Sequence, residues 1–115
     1  MQNQIETLIE NIKTDYYNWT SRGGTKELTE VNENMIAAFN NGLEVREGNK
    51  YIKIVTNNSV WGFVVKGDND KKFQKGDILK AAGFATPARN HARGNVFATD
   101  YAINWTGPLY MMHMG

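Results

Sequence analysis

The fold of this chain is decided by residues 43–66, which read LEVREGNKYIKIVTNNSVWGFVVK. Three runs in this stretch are strand candidates, at 43–46, 51–56 and 59–66. The last two are rich in β-branched and aromatic residues, which favour extended structure. The turn signals EGNK (47–50) and NNS (57–59) separate the runs. Because strands joined by such short loops pair antiparallel, we predict a three-stranded antiparallel meander.

The residues before the meander predict two amphipathic helices. Over 4–20 the apolar residues recur at three- and four-residue steps, at Ile5, Leu8, Ile9, Ile12, Tyr16 and Trp19. Arg22-Gly23-Gly24 is predicted to end this helix, since glycine tolerates a left-handed cap. Thr25 is predicted to cap a second helix that ends at Gly42. The predicted buried face of the second helix consists of Leu28, Val31, Met35, Ala38 and Phe39.

Further strands are predicted after the meander, at 78–81, 101–105 and 109–112. The predicted fold class is therefore α+β, with two N-terminal amphipathic helices packed on an antiparallel β-sheet of four to six strands. We expect one domain over 1–115, with a helical part at 1–42 and a β-rich, ligand-binding part at 43–115. The last residues include Met111, Met112 and Met114, and this apolar end favours an oligomer.

Composition excludes several classes of protein. The chain has 41% hydrophobic and 22% charged residues, which fits a folded domain. It has no cysteine and only two histidines, His91 and His113, so we expect no disulfide, no metal site and no cofactor. Its start does not resemble a secretory signal, and it has no apolar run long enough to span a membrane. These features predict a cytoplasmic protein without a membrane partner.

The charge is uneven along the chain although the net charge is only +1. Acidic residues outnumber basic ones in 1–50, and the reverse holds in 51–115. A basic second half favours a small anionic ligand. A nucleic-acid partner is disfavoured, because proteins that bind the phosphate backbone are usually clearly basic.

The segment GFATPARNHARGNVF, residues 83–97, holds most of the candidate ligand-binding residues. These are Phe84, Arg89, His91, Arg93 and Asn95, and Trp105, which follows the segment, is a further candidate. Guanidinium groups suit phosphates, amides suit base or ribose edges, and aromatic faces suit a base. Arg89 and Arg93 are four residues apart and would share one face of a short helical turn. The alternative is that these arginines pair with carboxylates of the helices and that Phe84 lies in the core.

A second candidate anion site is Arg22-Gly23-Gly24-Thr25, at the expected entrance to the second helix. The exposed amides of a helix N-terminus bind phosphates readily. The alternative interpretation is an ordinary turn between two helices.

Catalysis finds little support in the sequence. Neither Ser21 nor Ser59 lies in a nucleophile elbow. Asp68 and Asp70 form a carboxylate pair, but GDND (67–70) is typical of an exposed turn. We interpret His91 as a ligand contact or a surface residue in preference to a general acid or base. We therefore expect a binding protein without an enzymatic activity.

Four segments resemble small proteins of tailed bacteriophages, namely KYIKI (50–54), GDILKAA (76–82), the stretch from Pro87-Ala88 to ARGNVF (92–97), and WTGPLY (105–110). Size and element order are similar to the phage anti-Thoeris family of the first type. The resemblance implies a sponge that captures a cyclic ADP-ribose type of signal, made by host TIR-domain enzymes, without cleaving it. It also implies action in the cytoplasm of the infected bacterial host and a homo-oligomer, either a dimer or a hexamer that also holds cyclic oligonucleotides at separate sites.

Within this resemblance, Phe84 matches the pocket aromatic and Asn95 the pocket asparagine, with Arg93 near the pyrophosphate. The loop is one residue longer here, with Asn90 as the insertion. Met111-Met112 stand where family members tend to continue into an arginine, which puts one phosphate contact in doubt. The alternatives are a phage nucleic-acid-binding accessory protein that uses the arginines with Trp61 and Trp105, an enzyme acting on nucleotides, and a structural virion protein.

Overall fold

The computed structural model describes residues 1–25, 27–57, 59–98 and 101–108 and confirms the α+β class. The helices are α1 (Gln2–Ser21) and α2 (Glu30–Asn41). The strands are β1 (Leu43–Glu47), β2 (Tyr51–Thr56), β3 (Ser59–Val65), β4 (Ile78–Leu79), β5 (Ile103–Asn104) and β6 (Gly107–Pro108). The first four form one antiparallel sheet in the order β1-β2-β3-β4, and β5 pairs with β6. The predicted strand at 109–112 lies outside the described residues.

Helix α1 buries most of the predicted stripe, with Ile9 only partly buried and the end of the stripe exposed. Ile5, Leu8, Ile12 and Tyr16 are buried, whereas Trp19 is 57% exposed. The helix ends on Arg22, which takes the left-handed conformation itself at φ 52°. Gly23 and Gly24 continue this left-handed turn at φ 72° and 86°, a conformation that glycine adopts without strain.

The prediction that Thr25 caps the second helix is wrong, because α2 begins four residues later. Thr29 is the N-cap, and its side chain accepts a hydrogen bond from the Asn32 N–H at 3.2 Å. The Asn32 side chain in turn accepts the Thr29 N–H, so two unpaired donors of the helix start are satisfied together. The Thr25 hydroxyl instead donates to the Arg22 carbonyl at 2.7 Å, within the preceding turn.

The predicted buried face of α2 is also wrong for most of its residues. Phe39 is buried and stacks on Tyr16 with 4.1 Å between ring centroids, and Ile36 packs beside it. This contact turns the Ile36–Phe39 side of α2 toward α1. Val31 and Met35 lie on the other side and are 67% and 41% exposed.

The meander has the predicted antiparallel pairing, with one irregularity. Ile54 pairs with Gly62 and Val55 with Val60, so Trp61 is an extra residue in β3. Such a bulge changes the direction of a side chain, and here Trp61 lies in the same core cluster as Ile54.

The sheet therefore has two distinct faces. The helix face carries Ile52, Ile54, Trp61, Val64 and Ile78, which pack with α1 and α2. The loop face carries Tyr51, Lys53, Phe63, Val65 and Leu79. Alternation of side chains along β2 and β3 produces this division.

Candidate ligand-binding site

Two connecting segments cover the loop face. The first, 66–77, joins β3 to β4 and contributes Phe73, which packs with Phe63, Val65 and Leu79. The second, 80–94, follows β4 and contributes Ala81 and Ala92 to the same cluster. Bridges between Ala81 and Pro87 and between Asp77 and Asn95 hold the chain that returns along β4.

The two segments are joined by an ion pair between Asp70 and Arg89, here called the clasp. The guanidinium donates to both carboxylate oxygens, Nη2 to Oδ1 at 2.9 Å and Nη1 to Oδ2 at 3.0 Å. Arg89 also donates to the hydroxyl of Tyr51, and its guanidinium carbon lies 4.9 Å from the ring centroid of Phe73. Such two-point geometry is the strongest form of a side-chain ion pair.

The clasp shifts both titrations in the direction that keeps the pair charged. The hydrogen bond from Arg89, together with the N–H groups of Lys72 and Phe73, holds the pKa of Asp70 far below its ordinary value of 3.8. The hydrogen bond to Asp70 raises the pKa of Arg89 above its ordinary value. Both groups are therefore ionised at every pH at which the protein would function.

Beside the clasp, Lys53 lies between two aromatic rings. Its Nζ is 4.3 Å from the ring centroid of Phe84 and 5.9 Å from that of Phe63. A cation at these distances is attracted by the negative face of the ring. Phe84 is itself 54% exposed at the tip of a tight turn, where Ala82 and Gly83 both donate to the carbonyl of Thr86.

A shallow cavity of about 260 Å³ opens next to Lys53, between the β1–β2 turn and the tip of the second segment. Its lining residues are Arg46, Glu47, Gly48, Asn49, Lys50, Tyr51, Lys53, Phe63 and Ala85. We call it the basic cavity, since three cationic side chains line it. Its one carboxylate, Glu47, pairs with Lys66 at 3.2 Å. Ligand pockets usually measure roughly 300–1,000 Å³, so this cavity can hold one phosphate or one base of a larger ligand.

The structure separates the residues that the sequence grouped together. Phe84 borders the basic cavity through Lys53. Arg89 is engaged in the clasp, and His91 is exposed, its N–H bonded to the side chain of Asn90. The expected helical turn is absent from 82–94, and Arg93 does not share a face with Arg89. Arg93 is only 3% exposed, and its N–H donates to the carbonyl of Ile78 at 2.7 Å.

The side chain of Asn95 is hydrogen-bonded within the fold. Its Nδ2 donates to the carbonyl of Lys75 and to Oδ1 of Asp77, both at 2.9 Å, and its Oδ1 accepts the N–H of Phe97 at 2.8 Å. The turn leaves little room around it, because a Cβ on Gly76 would lie 2.9 Å from the same Oδ1. Both ends of the amide therefore hold two chain segments together.

Trp105 lies on the helix side of the sheet, away from the loop face. Its ring centroid is 5.1 Å from that of Tyr16 and 5.9 Å from that of Phe39, in edge-to-face contacts. Its backbone N–H donates to Oδ2 of Asp15 at 2.8 Å. The structure thus places Trp105 and Phe84 on opposite faces of the sheet.

The structure does not provide the free helix-N-terminal amides on which the second candidate anion site, Arg22-Gly23-Gly24-Thr25, depended. The N–H of Gly23 donates to Asn18, that of Gly24 to the main chain and hydroxyl of Ser21, and that of Thr25 to Arg22. These amides already have acceptors, and the turn does not open a helix. Arg22 does line a small cavity of about 260 Å³ between the helices, with Trp19, Thr20, Asn32 and Met35.

Sequence reasoning missed Tyr51, Lys53 and Asp70. Strict alternation in Tyr51-Ile52-Lys53-Ile54 places Tyr51 and Lys53 on the face opposite the isoleucines, and this is the signal that could have found them. The turn pattern of 67–70 predicts an exposed residue at Asp70. No pattern in the sequence pairs it with Arg89, since the contact joins loops 19 residues apart.

Comparison of the chain with protein-family models, with curated proteins and with solved structures finds no match in any of the three. Within the described ranges, no three histidine or acidic side chains come close enough together to hold a metal ion. No helix in the same part of the chain has the length and apolarity needed to cross a membrane.

Proposed function

We propose that the protein captures a small nucleotide-derived anion on the loop face without cleaving it. The observation that supports this proposal is the basic cavity, where Arg46, Lys50 and Lys53 meet Tyr51 and Phe63 beside the exposed ring of Phe84. Cationic side chains bind phosphates, and an exposed aromatic ring stacks on a base. The cavity combines both within one site.

The specific ligand that we propose is a cyclic ADP-ribose type of signal, made by a TIR-domain enzyme of a bacterial host. The resemblance to the anti-Thoeris sponges carries this choice, together with action in the host cytoplasm and assembly as a homo-oligomer, dimer or hexamer. A pyrophosphate would contact the three cations while the base stacks on Phe84. Because the cavity is smaller than such a ligand, part of the ligand would lie on the open surface.

The proposed contacts can be compared with the free energy that capture requires. Charge-assisted hydrogen bonds contribute about 1.5–3 kcal/mol each, and a stacked base contributes about 1–3 kcal/mol. Micromolar binding requires about 8 kcal/mol. Three cationic contacts and one stacked base sum to roughly 5.5–12 kcal/mol on these ranges. This range spans the required value before the entropy cost of binding is subtracted, so pre-organisation matters.

The clasp provides that pre-organisation. It fixes Tyr51 through its hydroxyl and joins the two segments that cover the loop face. A fixed Tyr51 packs edge to face on Phe63, with 5.9 Å between their ring centroids, and so defines one wall of the cavity. Arg89 therefore acts in this proposal as a positioning residue for the cavity.

The test is to incubate the protein with the products of a TIR enzyme, remove unbound material, release the ligand by heat, and identify it by mass spectrometry. Release of the intact signal is the result expected. Release of a cleaved product would identify an enzyme and overturn the non-catalytic proposal. Absence of any captured nucleotide would overturn the ligand class as well.

A further inference from the structure

Strand β1 forms one end of the four-stranded sheet and is the most exposed of its longer strands. Four of its five residues are exposed, and Val45 is 47% exposed. A strand in this position offers backbone N–H and C=O groups to another strand.

The hydrogen-bond pattern shows which residues of β1 face outward. Asn57 N–H donates to the carbonyl of Gly42 at 3.1 Å, and Gly48 N–H donates to that of Tyr51 at 2.9 Å. Hydrogen-bonded pairs alternate along an antiparallel ladder. Glu44 and Arg46 therefore direct their backbone groups toward β2, whereas Leu43, Val45 and Glu47 direct theirs toward the outer edge, which no other strand among the described residues covers.

Within one chain, Arg46 Nε donates to Oε2 of Glu44 at 3.0 Å, and the same two charges are also complementary to those of a second copy. If two β1 strands pair antiparallel about a two-fold axis at Val45, Glu44 of each copy lies opposite Arg46 of the other. Val45 pairs with Val45 as a hydrogen-bonded pair, so the Glu44 and Arg46 positions form non-hydrogen-bonded pairs, whose side chains are closer together. The outward backbone groups of Leu43, Val45 and Glu47 all find partners in this register.

An apolar surface continues from the edge onto the helix face. Val45 borders a cavity of about 530 Å³ whose apolar lining includes Met1, Ile5 and Ile52 and whose polar lining includes Glu6, Glu47, Lys66 and Lys75. Pairing in the same register would bring Val45 of the second copy against this exposed side chain. Charge and apolar exposure thus both favour a second copy as the occupant, in a register that the backbone parity permits.

We infer that β1 is the surface through which two copies of this chain associate, as one continuous eight-stranded antiparallel sheet with its two-fold axis at Val45. This inference rests on the homo-oligomer part of the proposed function. Arg46 belongs both to this interface and to the basic cavity, so the interface is tested by a readout other than capture. It specifies the surface, the strand direction and the register, and each of these can be tested.

The test uses charge reversal in the full chain. Glu44→Lys alone places two cations opposite each other, and Arg46→Glu alone places two glutamates opposite each other. Each variant alone is expected to raise the dimer dissociation constant about tenfold or more, because like charges facing each other destabilise a strand pair. An equimolar mixture of the two variants restores opposite charges in the mixed pair. It is therefore expected to form a one-to-one heterodimer, seen by native mass spectrometry and light scattering.

Two further variants control the design. Glu27→Lys, on the loop between the helices, changes the net charge as Glu44→Lys does. It is expected to leave the dimer intact. Val45→Pro removes an outward N–H that β2 does not use, so it should abolish pairing while the far-ultraviolet circular dichroism shows a folded chain. Because Arg46 also lines the basic cavity, mass and not capture is the readout.

The outcomes are distinct. Loss of the dimer in each single variant, with recovery in the mixture, supports the β1 interface. If the oligomer is stable and none of the β1 variants changes it, the β1 interface is overturned. The homo-oligomer would then form through another surface. A wild-type chain that is monomeric at its highest soluble concentration overturns both the interface and the homo-oligomer. None of these results depends on whether a nucleotide is captured.

Discussion

The two faces of the sheet differ in what holds them together. On the helix face, buried apolar and aromatic side chains pack directly, and Trp61 sends its single polar group, Nε1, to the carbonyl of Asn104 at 2.8 Å. On the loop face, cations lie over aromatic rings, and an ion pair joins the covering segments. The helix face contains the larger buried apolar cluster, and the loop face a smaller one of Phe63, Val65, Phe73 and Leu79. The loop face keeps polar and aromatic groups near the surface, where a ligand can reach them.

The largest effect on the free energy of unfolding is expected from Leu8→Ala on the helix side. Leu8 is completely buried, and removing its side chain leaves a cavity that costs about 2–5 kcal/mol. Val31→Ala on the exposed side of α2 is the matched control, with an expected change below about 0.5 kcal/mol. Denaturant unfolding measures both. Similar losses in the two variants would contradict the burial of Leu8 in the helix-face core.

The next largest effect on the free energy of unfolding is expected at Asn95, at the boundary of the loop face. Asn95→Ala removes two donated hydrogen bonds and one accepted hydrogen bond and is expected to cost about 1–3 kcal/mol in unfolding free energy. Asn90→Ala, which loses one exposed hydrogen bond to His91, should change stability by less than about 0.5 kcal/mol. An Asn95→Ala variant with wild-type stability and no capture would return Asn95 to the role of a ligand contact.

A smaller effect, visible only in acid, is expected from the clasp. Because the pKa of Asp70 is lowered on folding, its contribution to stability is complete above the ordinary value of 3.8 and is lost as the pH falls below it. Asp70→Asn should therefore be less stable than wild type at neutral pH, and the difference should shrink in strong acid. Urea unfolding at about pH 7 and about pH 2.5, on either side of that ordinary value, measures it. A difference that does not depend on pH would contradict an ionic clasp.

The smallest effect on stability and the largest effect on function should come from the basic cavity. Lys53→Gln removes a partly buried cation and should leave the unfolding midpoint close to that of wild type. The lost charge-assisted contact should weaken capture roughly ten- to hundredfold. Phe84→Ala, which removes an exposed ring, should behave in the same way. Thermal unfolding measured beside titration with the released nucleotide separates the two effects.

Much of the fold followed from local patterns in the sequence. The alternation and turn signals of 43–66 predicted the meander, and the apolar repeat of α1 predicted its buried face. The start of α2 did not follow, because Thr25 and Thr29 are both suitable caps and only Thr29 has Asn32 three residues later to complete the box. The orientation of α2 did not follow either, since its apolar residues form two arcs and the contact of Phe39 with Tyr16 decides between them.

The candidate site was less accessible to sequence reasoning, since its parts come from separate segments. Residues 83–97 contain the right chemical groups, but the fold uses Asn95 and Arg89 internally and buries Arg93. The groups that line the basic cavity come mainly from β1, β2 and the turn between them. Their proximity to Phe84 depends on where a distant loop returns, which local periodicity does not encode.

One measurement tests the central claim most directly. Wild type, Lys53→Gln and Lys80→Gln are each incubated with TIR-enzyme products, and the nucleotide released by heat is quantified by mass spectrometry. Lys80 is exposed and does not line the basic cavity, so its variant carries the same charge change outside the site. We predict intact nucleotide from wild type and Lys80→Gln and a severe loss from Lys53→Gln. Equal capture by all three proteins would contradict a ligand site on the loop face.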